Sequence, residues 1–162
     1  MLDLGTGSGA VAIALAHQRP DAHVVATDLS TNAIEIARRN ALNNKVDIDF
    51  LQSNWYEHVH EKFNLIVSNP PYIAAGDVHL SQGDLRFEPA DALTDHATGL
   101  TALEKIILGA PAHLETGGWL LVEHGYDQAR AVRELFLSSA WSEVQSWRDL
   151  AGIERVSGAR LH

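Results

Sequence analysis

Asn69-Pro70-Pro71-Tyr72 follows the apolar run Phe63-Asn64-Leu65-Ile66-Val67-Ser68, and its residue types suit the recognition of a planar –NH2 group. Proline donates no backbone hydrogen bond and fixes φ, so the Asn69 side-chain oxygen and the Pro70 carbonyl form a stiff pair of acceptors. An amide or an amino-substituted base could give both N–H bonds to that pair. Pro71 stiffens the same turn, and Tyr72 offers an aromatic wall for the plane of the group. The plainer reading of these residues is a turn that ends a strand, where Asn and Pro are common.

A second constellation stands at the start of the chain. Met1-Leu2-Asp3-Leu4 reads as the tail of an apolar strand, Gly5-Thr6-Gly7-Ser8-Gly9 as a glycine loop, and Ala10 to Ala16 as a helix. Strand, glycine loop and helix in this order make a nucleotide-type site, because glycine lets the backbone approach a ligand and the helix start offers unpaired N–H groups. The run His23-Val24-Val25-Ala26-Thr27 then ends in Asp28, an acidic residue placed to accept both ribose hydroxyls of an adenosine. The alternative for Asp28 is a cap for the following helix, although Ser30 or Thr31 serves equally well there.

The loop alone leaves the cofactor open. Gly5-x-Gly7-x-x-Ala10 with Asp28 also fits a dinucleotide fingerprint, so an NAD-dependent dehydrogenase remains a rival. A phosphate-loop nucleotidase is excluded, since the first lysine is Lys45 and nothing in the loop neutralises a β- or γ-phosphate. Asn69-Pro70-Pro71-Tyr72 separates the remaining two, because hydride transfer has no need of it.

Taken together, Asp3-Leu4-Gly5-Thr6-Gly7-Ser8-Gly9, Asp28 and Asn69-Pro70-Pro71-Tyr72-Ile73 resemble the class I S-adenosylmethionine-dependent methyltransferases that act on amino nitrogens. Further along, Arg86-Phe87-Glu88-Pro89 with Ala92-Leu93, Gly99-Leu100, Gly117-Gly118, Glu123-His124-Gly125 with Gln128, and Arg148-Asp149-Leu150-Ala151-Gly152 before Glu154-Arg155 are similar to the HemK-type protein-(glutamine) methyltransferases. The resemblance covers essentially the whole chain. It implies a Rossmann-like, doubly wound and mostly parallel seven-stranded α/β sheet that binds S-adenosyl-L-methionine. It also implies methyl transfer to the glutamine amide of the Gly-Gly-Gln loop in peptide-chain release factors. Carried over residue by residue, it assigns Gly5, Thr6, Gly7, Ser8, Gly9, Asp28, Leu29, Asn54, Trp55 and Asn69 to the cofactor. Asn69, Pro70, Pro71 and Tyr72 fall to the substrate amide, with Asn69, Pro70 and Tyr72 catalytic and no metal involved.

Two departures bear on this. Family members carry a helical N-terminal domain ahead of the glycine motif, whereas this chain starts inside the first strand, so a single catalytic domain over residues 1–162 with a truncated first strand is expected. Asn54 stands where the family usually has Asp, and its amide oxygen still accepts from an adenine amino group. The missing region is also the support for a reading from another class, a methyltransferase-like module that holds a cofactor or a partner chain without catalysis.

Composition narrows the partners. A net charge of −9, from 12 basic and 21 acidic residues without a basic cluster, is a poor match for a phosphate backbone, so a nucleic-acid amino-methyltransferase is disfavoured. A basic surface on a protein partner suits it better. With 46% apolar residues in 162, one sizeable core is expected. The absence of cysteine removes disulfides, thiol catalysis and cysteine-ligated zinc. The longest apolar stretches fall far short of the ~20 residues of a membrane span, so a cytoplasmic protein with no membrane partner is expected. Oligomeric state is not legible.

The elements that must position these residues follow from the periodicity. Helices are predicted over Gly9–His17, Thr31–Asn43, Leu100–His113 and Gln128–Ser139. Strands are predicted over Met1–Leu4, Val24–Asp28, Ile48–Gln52, Leu65–Ser68, Trp119–Glu123, Glu143–Trp147 and Arg155–Ala159, an alternation typical of an open α/β sheet. Ile73 to Thr98 has no period and reads as a substrate-facing rim, with Glu88 before Pro89 in an ordering role. His58-x-His60 lacks a third ligand in reach and reads as a polar loop, and Glu123 receives no assigned role. Trp55 is either an ordinary core aromatic or a platform for the adenine ring.

Overall fold

The computed structural model describes residues 1–71, 99–137 and 140–162. In chain order the elements are β1 (Leu2–Leu4), α1 (Ala10–Gln18), β2 (Val25–Asp28), α2 (Thr31–Asn44), β3 (Asp49–Gln52) and β4 (Phe63–Ser68). They continue with α3 (Thr101–Gly109), a 3-10 turn (Ala110–Ala112), β5 (Leu114–Glu123), α4 (Ala129–Leu135), β6 (Trp141–Arg148) and β7 (Glu154–Leu161). The strands form one seven-stranded sheet in the order β3-β2-β1-β4-β5-β7-β6. β1 to β5 run parallel, and β7 enters antiparallel to both β5 and β6. The expected Rossmann-like α/β architecture is present.

Alternation along the strands sorts two cores onto opposite faces. Leu2 and Leu4 of β1, Val25 of β2 and Ile66 of β4 pack with Leu103, Ile106 and Ile107 of α3 and Val132 of α4. Their neighbours Val24 and Ala26 pack on the other face with Ala12 and Ala16 of α1, Ala41 of α2, and Ile48. The alanines let α1 and α2 lie close to the sheet. Because β1 to β4 are parallel and in register, Leu4, Thr27 and Ser68 end at one level, and the loops that follow them share one edge.

Most element ends lie within two residues of the expected ones, and the larger differences have local causes. α3 stops at Gly109 because Pro111 cannot continue it, and the last turn tightens to 3-10 geometry. β5 begins at Leu114 rather than Trp119. Phe63 pairs with Leu114 and Leu65 with Trp119, so the intervening residues bulge out of the ladder, with Gly117 at φ +80°. Gly117, at positive φ, permits this irregularity within the strand. β6 starts at Trp141 and carries its own bulge, with Glu143 at φ +53°. The predicted helix after Gln128 ends at Leu135. The expected rim from Ile73 to Thr98, including Glu88 and Pro89, lies outside the described residues.

Gly9 joins the glycine loop to α1 at φ +84°, and a Cβ there would stand 3.1 Å from the Ala37 Cβ and 3.3 Å from its Cα on α2. Gly9→Ala therefore meets both a left-handed backbone and a wall of α2. A destabilisation of about 1–3 kcal/mol is expected, seen as a lower urea midpoint at unchanged slope. An unchanged midpoint would show that α1 and α2 are free to separate.

Candidate functional site at the carboxyl edge of the sheet

The glycine loop owes its shape to Asp3. Gly9, at the start of α1, has no side chain to cap the helix. The Asp3 carboxylate does so from the strand below: Oδ2 accepts the Ala12 N–H at 3.1 Å and the Thr6 hydroxyl at 2.6 Å. Two backbone bonds complete the loop, Thr6 N–H to the Thr27 carbonyl at 2.8 Å and Gly9 N–H to the Thr6 carbonyl at 2.9 Å. Asp3 is 1% exposed, and burial pushes its carboxyl up to about 6; the bonds from Thr6 and Ala12 oppose that rise, while the Asp28 charge adds to it. Sequence reasoning left Asp3 out of the site because it reads as one polar residue in a strand tail.

Asp28, at the end of β2, faces the loop. Its Oδ2 accepts the Gly7 N–H at 2.9 Å and its Oδ1 the Ser30 N–H at 2.9 Å. Ser30 caps α2, with its hydroxyl accepting the Ala33 N–H at 3.3 Å, so Asp28 is not consumed as a helix cap. Each carboxylate oxygen keeps a lone pair for a further donor. A Cβ on Gly7 would meet nothing within 4 Å, which marks open space beside the loop. Ser8 is exposed, and its carbonyl accepts from Asn40 Nδ2 at 2.9 Å. Leu29 is 66% exposed on the same rim.

The third wall comes from the turn after β3. Ser53, nearly fully buried, donates its hydroxyl to the Trp55 carbonyl at 2.8 Å and accepts the His58 N–H at 3.0 Å. Its own N–H reaches the Asp28 carbonyl at 2.9 Å, fastening this turn to β2. The fold of the turn places Trp55 at φ +51° and brings its ring to 3.4 Å from where a Gly5 Cβ would stand. Trp55 is thus half-buried, packed on the core below and flanking the glycine loop. Asn54 beside it is exposed. His58 donates from Nδ1 to the Gln52 carbonyl at 3.0 Å, a brace for the same turn. Ser53 went unnoticed in the sequence, where nothing distinguishes it from a surface serine.

β4 delivers the fourth wall. Ser68 pairs in register with Leu4, and its hydroxyl donates to the Leu4 carbonyl at 2.7 Å. Asn69 and Gly5 therefore leave neighbouring strands, which lie ~4.8 Å apart. Asn69 is exposed, Pro70 is buried and Pro71 half-buried. The Asn69 side chain makes no hydrogen bond to the described residues. Tyr72 lies outside the described residues. The structure thus brings Gly5, Thr6, Gly7, Ser8, Gly9, Asp28, Leu29, Trp55, Asn54, Asn69, Pro70 and Pro71 to one edge.

Glu123, at the end of β5, stands 3.8 Å from Arg155 at the same edge of the sheet. The pair lines a crevice of about 380 Å3 with Trp147, Arg148, Asp149 and Val156. Another crevice, of about 370 Å3, opens at the opposite edge between the ends of α1 and α2 and contains none of the site residues.

The family model of the methyltransferase small domain matches residues 1–93. A release factor glutamine methyltransferase from Bordetella pertussis is 53% identical over 99% of this chain and 60% of its own length. The chain spans about three-fifths of such relatives. Among solved structures, a ribosomal protein L11 methylase from Lactobacillus delbrueckii subsp. bulgaricus superposes with a TM-score of 0.71 at 25% identity, over 99% of this chain and 69% of that one. A T. thermophilus 16S rRNA methyltransferase in complex with AdoMet and guanosine gives a TM-score of 0.67 at 22% identity, over 99% and 37%.

The raised Asp3 carboxyl has a defined effect on stability. With a folded value near 6 against 3.8 when free, protonated Asp3 favours the native state below 3.8, and that contribution is lost as pH rises through 6. Asp3→Asn keeps an oxygen for Thr6 and Ala12 without the charge. The variant should gain stability relative to the parent as pH rises from 4 to 7, by on the order of 3 kcal/mol. Urea denaturation across that range measures it, and a pH-independent difference would mean that Asp3 is not a desolvated carboxylate.

Proposed function

Because the chain belongs to the methyltransferase small domain family, we propose that its carboxyl edge binds S-adenosyl-L-methionine and methylates the side-chain amide nitrogen of a glutamine in the Gly-Gly-Gln loop of a peptide-chain release factor. One observation carries this reading: Ser68 fastens β4 to the Leu4 carbonyl, so the acceptor pair at Asn69 and Pro70 stands one strand away from the glycine loop. The name of the B. pertussis relative supports the substrate, and the AdoMet complex of a similarly folded enzyme supports the cofactor.

The residues present fit that cofactor. Gly7 leaves space beside the loop, the Asp28 oxygens retain lone pairs toward ribose hydroxyls, and the Trp55 ring offers a face to the adenine, with Asn54 as an acceptor for its amino group. Gly5, Thr6, Ser8 and Gly9 shape the loop around it, and Leu29 covers the rim. Bound there, S-adenosylmethionine supplies a methyl group made electrophilic by its sulfonium.

The chain's own part is to position the nucleophile. A glutamine amide nitrogen is weak because its lone pair is delocalised into the carbonyl. Asn69 Oδ1 and the Pro70 carbonyl accept the two N–H bonds, turn the lone pair away from them and toward the methyl, and favour a more nucleophilic nitrogen. Pro71 stiffens that acceptor pair, and Tyr72, outside the described residues, is the aromatic wall that the sequence offers for the amide plane. A strong base is not required beforehand, since the nitrogen becomes acidic only as it gains the methyl. Orientation of this kind lowers barriers by roughly 7–11 kcal/mol in favourable cases.

The acidic surface agrees with a protein substrate rather than a nucleic acid: 21 acidic against 12 basic residues leave little to neutralise phosphates. A cytoplasmic setting, where release factors act, belongs to the same reading. Among the described residues, no helix is long and apolar enough to cross a membrane.

Two measurements test the proposal. In calorimetric titration S-adenosylmethionine or its demethylated product should bind and NAD should not, with Asp28→Ala weakening binding by about 1.5–3 kcal/mol, the scale of a hydrogen bond to a charged group. Tight NAD binding without a response to S-adenosylmethionine would make the site a dehydrogenase. Asn69→Ala should retain cofactor affinity within about one decade. Single-turnover methyl transfer to a release factor should fall on the order of 100-fold in the same variant, the cost of a misplaced reacting group. Loss of binding and transfer in equal proportion would move Asn69 into the cofactor pocket.

A further inference from the structure

Beyond the end of β5 runs a chain of buried polar groups that neither the glycine loop nor Asn69 uses. His124 and Ser157 are both 0% exposed. His124 Nδ1 lies 2.9 Å from the Gly125 carbonyl and its Nε2 2.8 Å from the Ser157 hydroxyl. Ser157 is 2.7 Å from the Ser146 hydroxyl, and Arg133 Nη1 donates to Ser146 at 2.7 Å and to Glu154 at 3.1 Å. The links join α4, β6, β7 and the end of β5.

Donor and acceptor chemistry fixes the direction of every bond. A carbonyl only accepts, so Nδ1 carries the imidazole proton and Nε2 of the neutral ring accepts from Ser157. Ser157 therefore accepts from Ser146, which in turn accepts from Arg133. A second proton on His124 would make Nε2 a donor and leave one of the two serine hydroxyl protons without an acceptor in the chain. Burial pushes the imidazole below its ordinary value, and the Arg155 and Arg133 charges act in the same direction against Glu154 and the Gly125 carbonyl.

The chain ends on the Gly125 carbonyl, and the N–H of the same residue, in the preceding peptide unit, holds something else. The Gly125 N–H donates to Gln128 Oε1 at 2.8 Å, and Gln128 Nε2 donates to the Gly99 carbonyl at 3.2 Å. Gly99 is where the described chain resumes ahead of α3, and Leu100 accepts the Glu104 N–H at 2.8 Å. We propose that His124 is a positioning residue: held as its Nδ1–H tautomer by the one-directional chain from Arg133, it fixes the Gly125 carbonyl and thereby the orientation of residue 125, on whose N–H Gln128 anchors Gly99, the first described residue after Pro71. The anchoring role stands on this geometry alone, and only its consequence for the protein substrate rests on the proposed methyl transfer.

Ser157→Ala removes the donor to Nε2 and leaves the residues of the glycine loop untouched. Nitrogen-15 NMR of the parent chain near neutral pH should show a neutral His124 protonated at Nδ1. In the variant, residue-resolved amide exchange should accelerate at Gly125 and Glu104 by about five- to tenfold, the scale of one lost hydrogen bond. Thr6 and Ala12, held by Thr27 and Asp3, should not change. The KM for release factor should rise by a similar factor at unchanged cofactor affinity, and Ser157→Thr, which keeps the hydroxyl, should restore both. Ser146→Ala, at a half-buried position one link away, provides the same test should Ser157→Ala fail to fold, with the same pattern expected. An Nε2–H tautomer, unchanged exchange at Gly125 and Glu104, or equal acceleration at Thr6 and Ala12 would overturn the proposal. Absence of methyl transfer by the parent chain counts against the functional reading alone, because tautomer and exchange decide the anchoring role without it.

Discussion

A single carboxylate oxygen, Oδ2 of Asp3, holds the most demanding part of this molecule in place. It accepts from Thr6 and from Ala12, and those two bonds bend Gly5 to Gly9 back over the end of β1 and seat α1 on the sheet. The loop cannot supply this restraint itself, since glycine has no side chain with which to cap the helix. The cost is visible in the same group, because burial raises the Asp3 carboxyl to about 6. The helix start and the Thr6 hydroxyl offset part of the cost of ionisation, which is the usual way a buried charge becomes tolerable.

With the loop fixed, the parallel register does the rest. β1, β2 and β4 end at one level, so three separate stretches of sequence deliver the glycine loop, Asp28 and Asn69 to one edge, and the Ser53-braced turn after β3 adds Trp55. The division of labour in the proposed reaction follows this layout. In that proposal the β1–β2–β3 side holds the nucleoside, and β4 presents acceptors to the amide. The polar chain through His124 and Ser157 lies beyond β5, on the far side of β4 from the glycine loop, where it steadies the return of the chain at Gly99.

How much of this was legible in the sequence depended on distance along the chain. The glycine loop and Asn69-Pro70-Pro71 are local patterns legible from neighbouring residues, and both lie at the carboxyl edge of the sheet. Asp28 reads in the sequence as a ribose acceptor or a helix cap, and Ser30 takes the capping role on α2. Asp3, Ser53 and His124 went unassigned for a different reason. Ser53 works by bonding Trp55 and His58 within a folded turn, and His124 by bonding Ser157, 33 positions away. Periodicity carries no trace of such partners. The strand β5 runs past Gly117 because that glycine permits a bulge rather than a stop, and the helix before it ends short of the predicted His113 because Pro111 cannot continue it.

In the proposed reaction the methyl group goes to the amide nitrogen of a glutamine in a Gly-Gly-Gln loop. Incubation of this chain with a release factor and isotopically labelled S-adenosylmethionine, followed by peptide mass spectrometry with fragmentation, identifies that atom's residue directly. The account predicts a mass gain of one methylene, carrying the label, on that glutamine and on no other residue. Label on a lysine, an arginine or the peptide backbone, or its appearance in ribosomal RNA with none in the release factor, would contradict it.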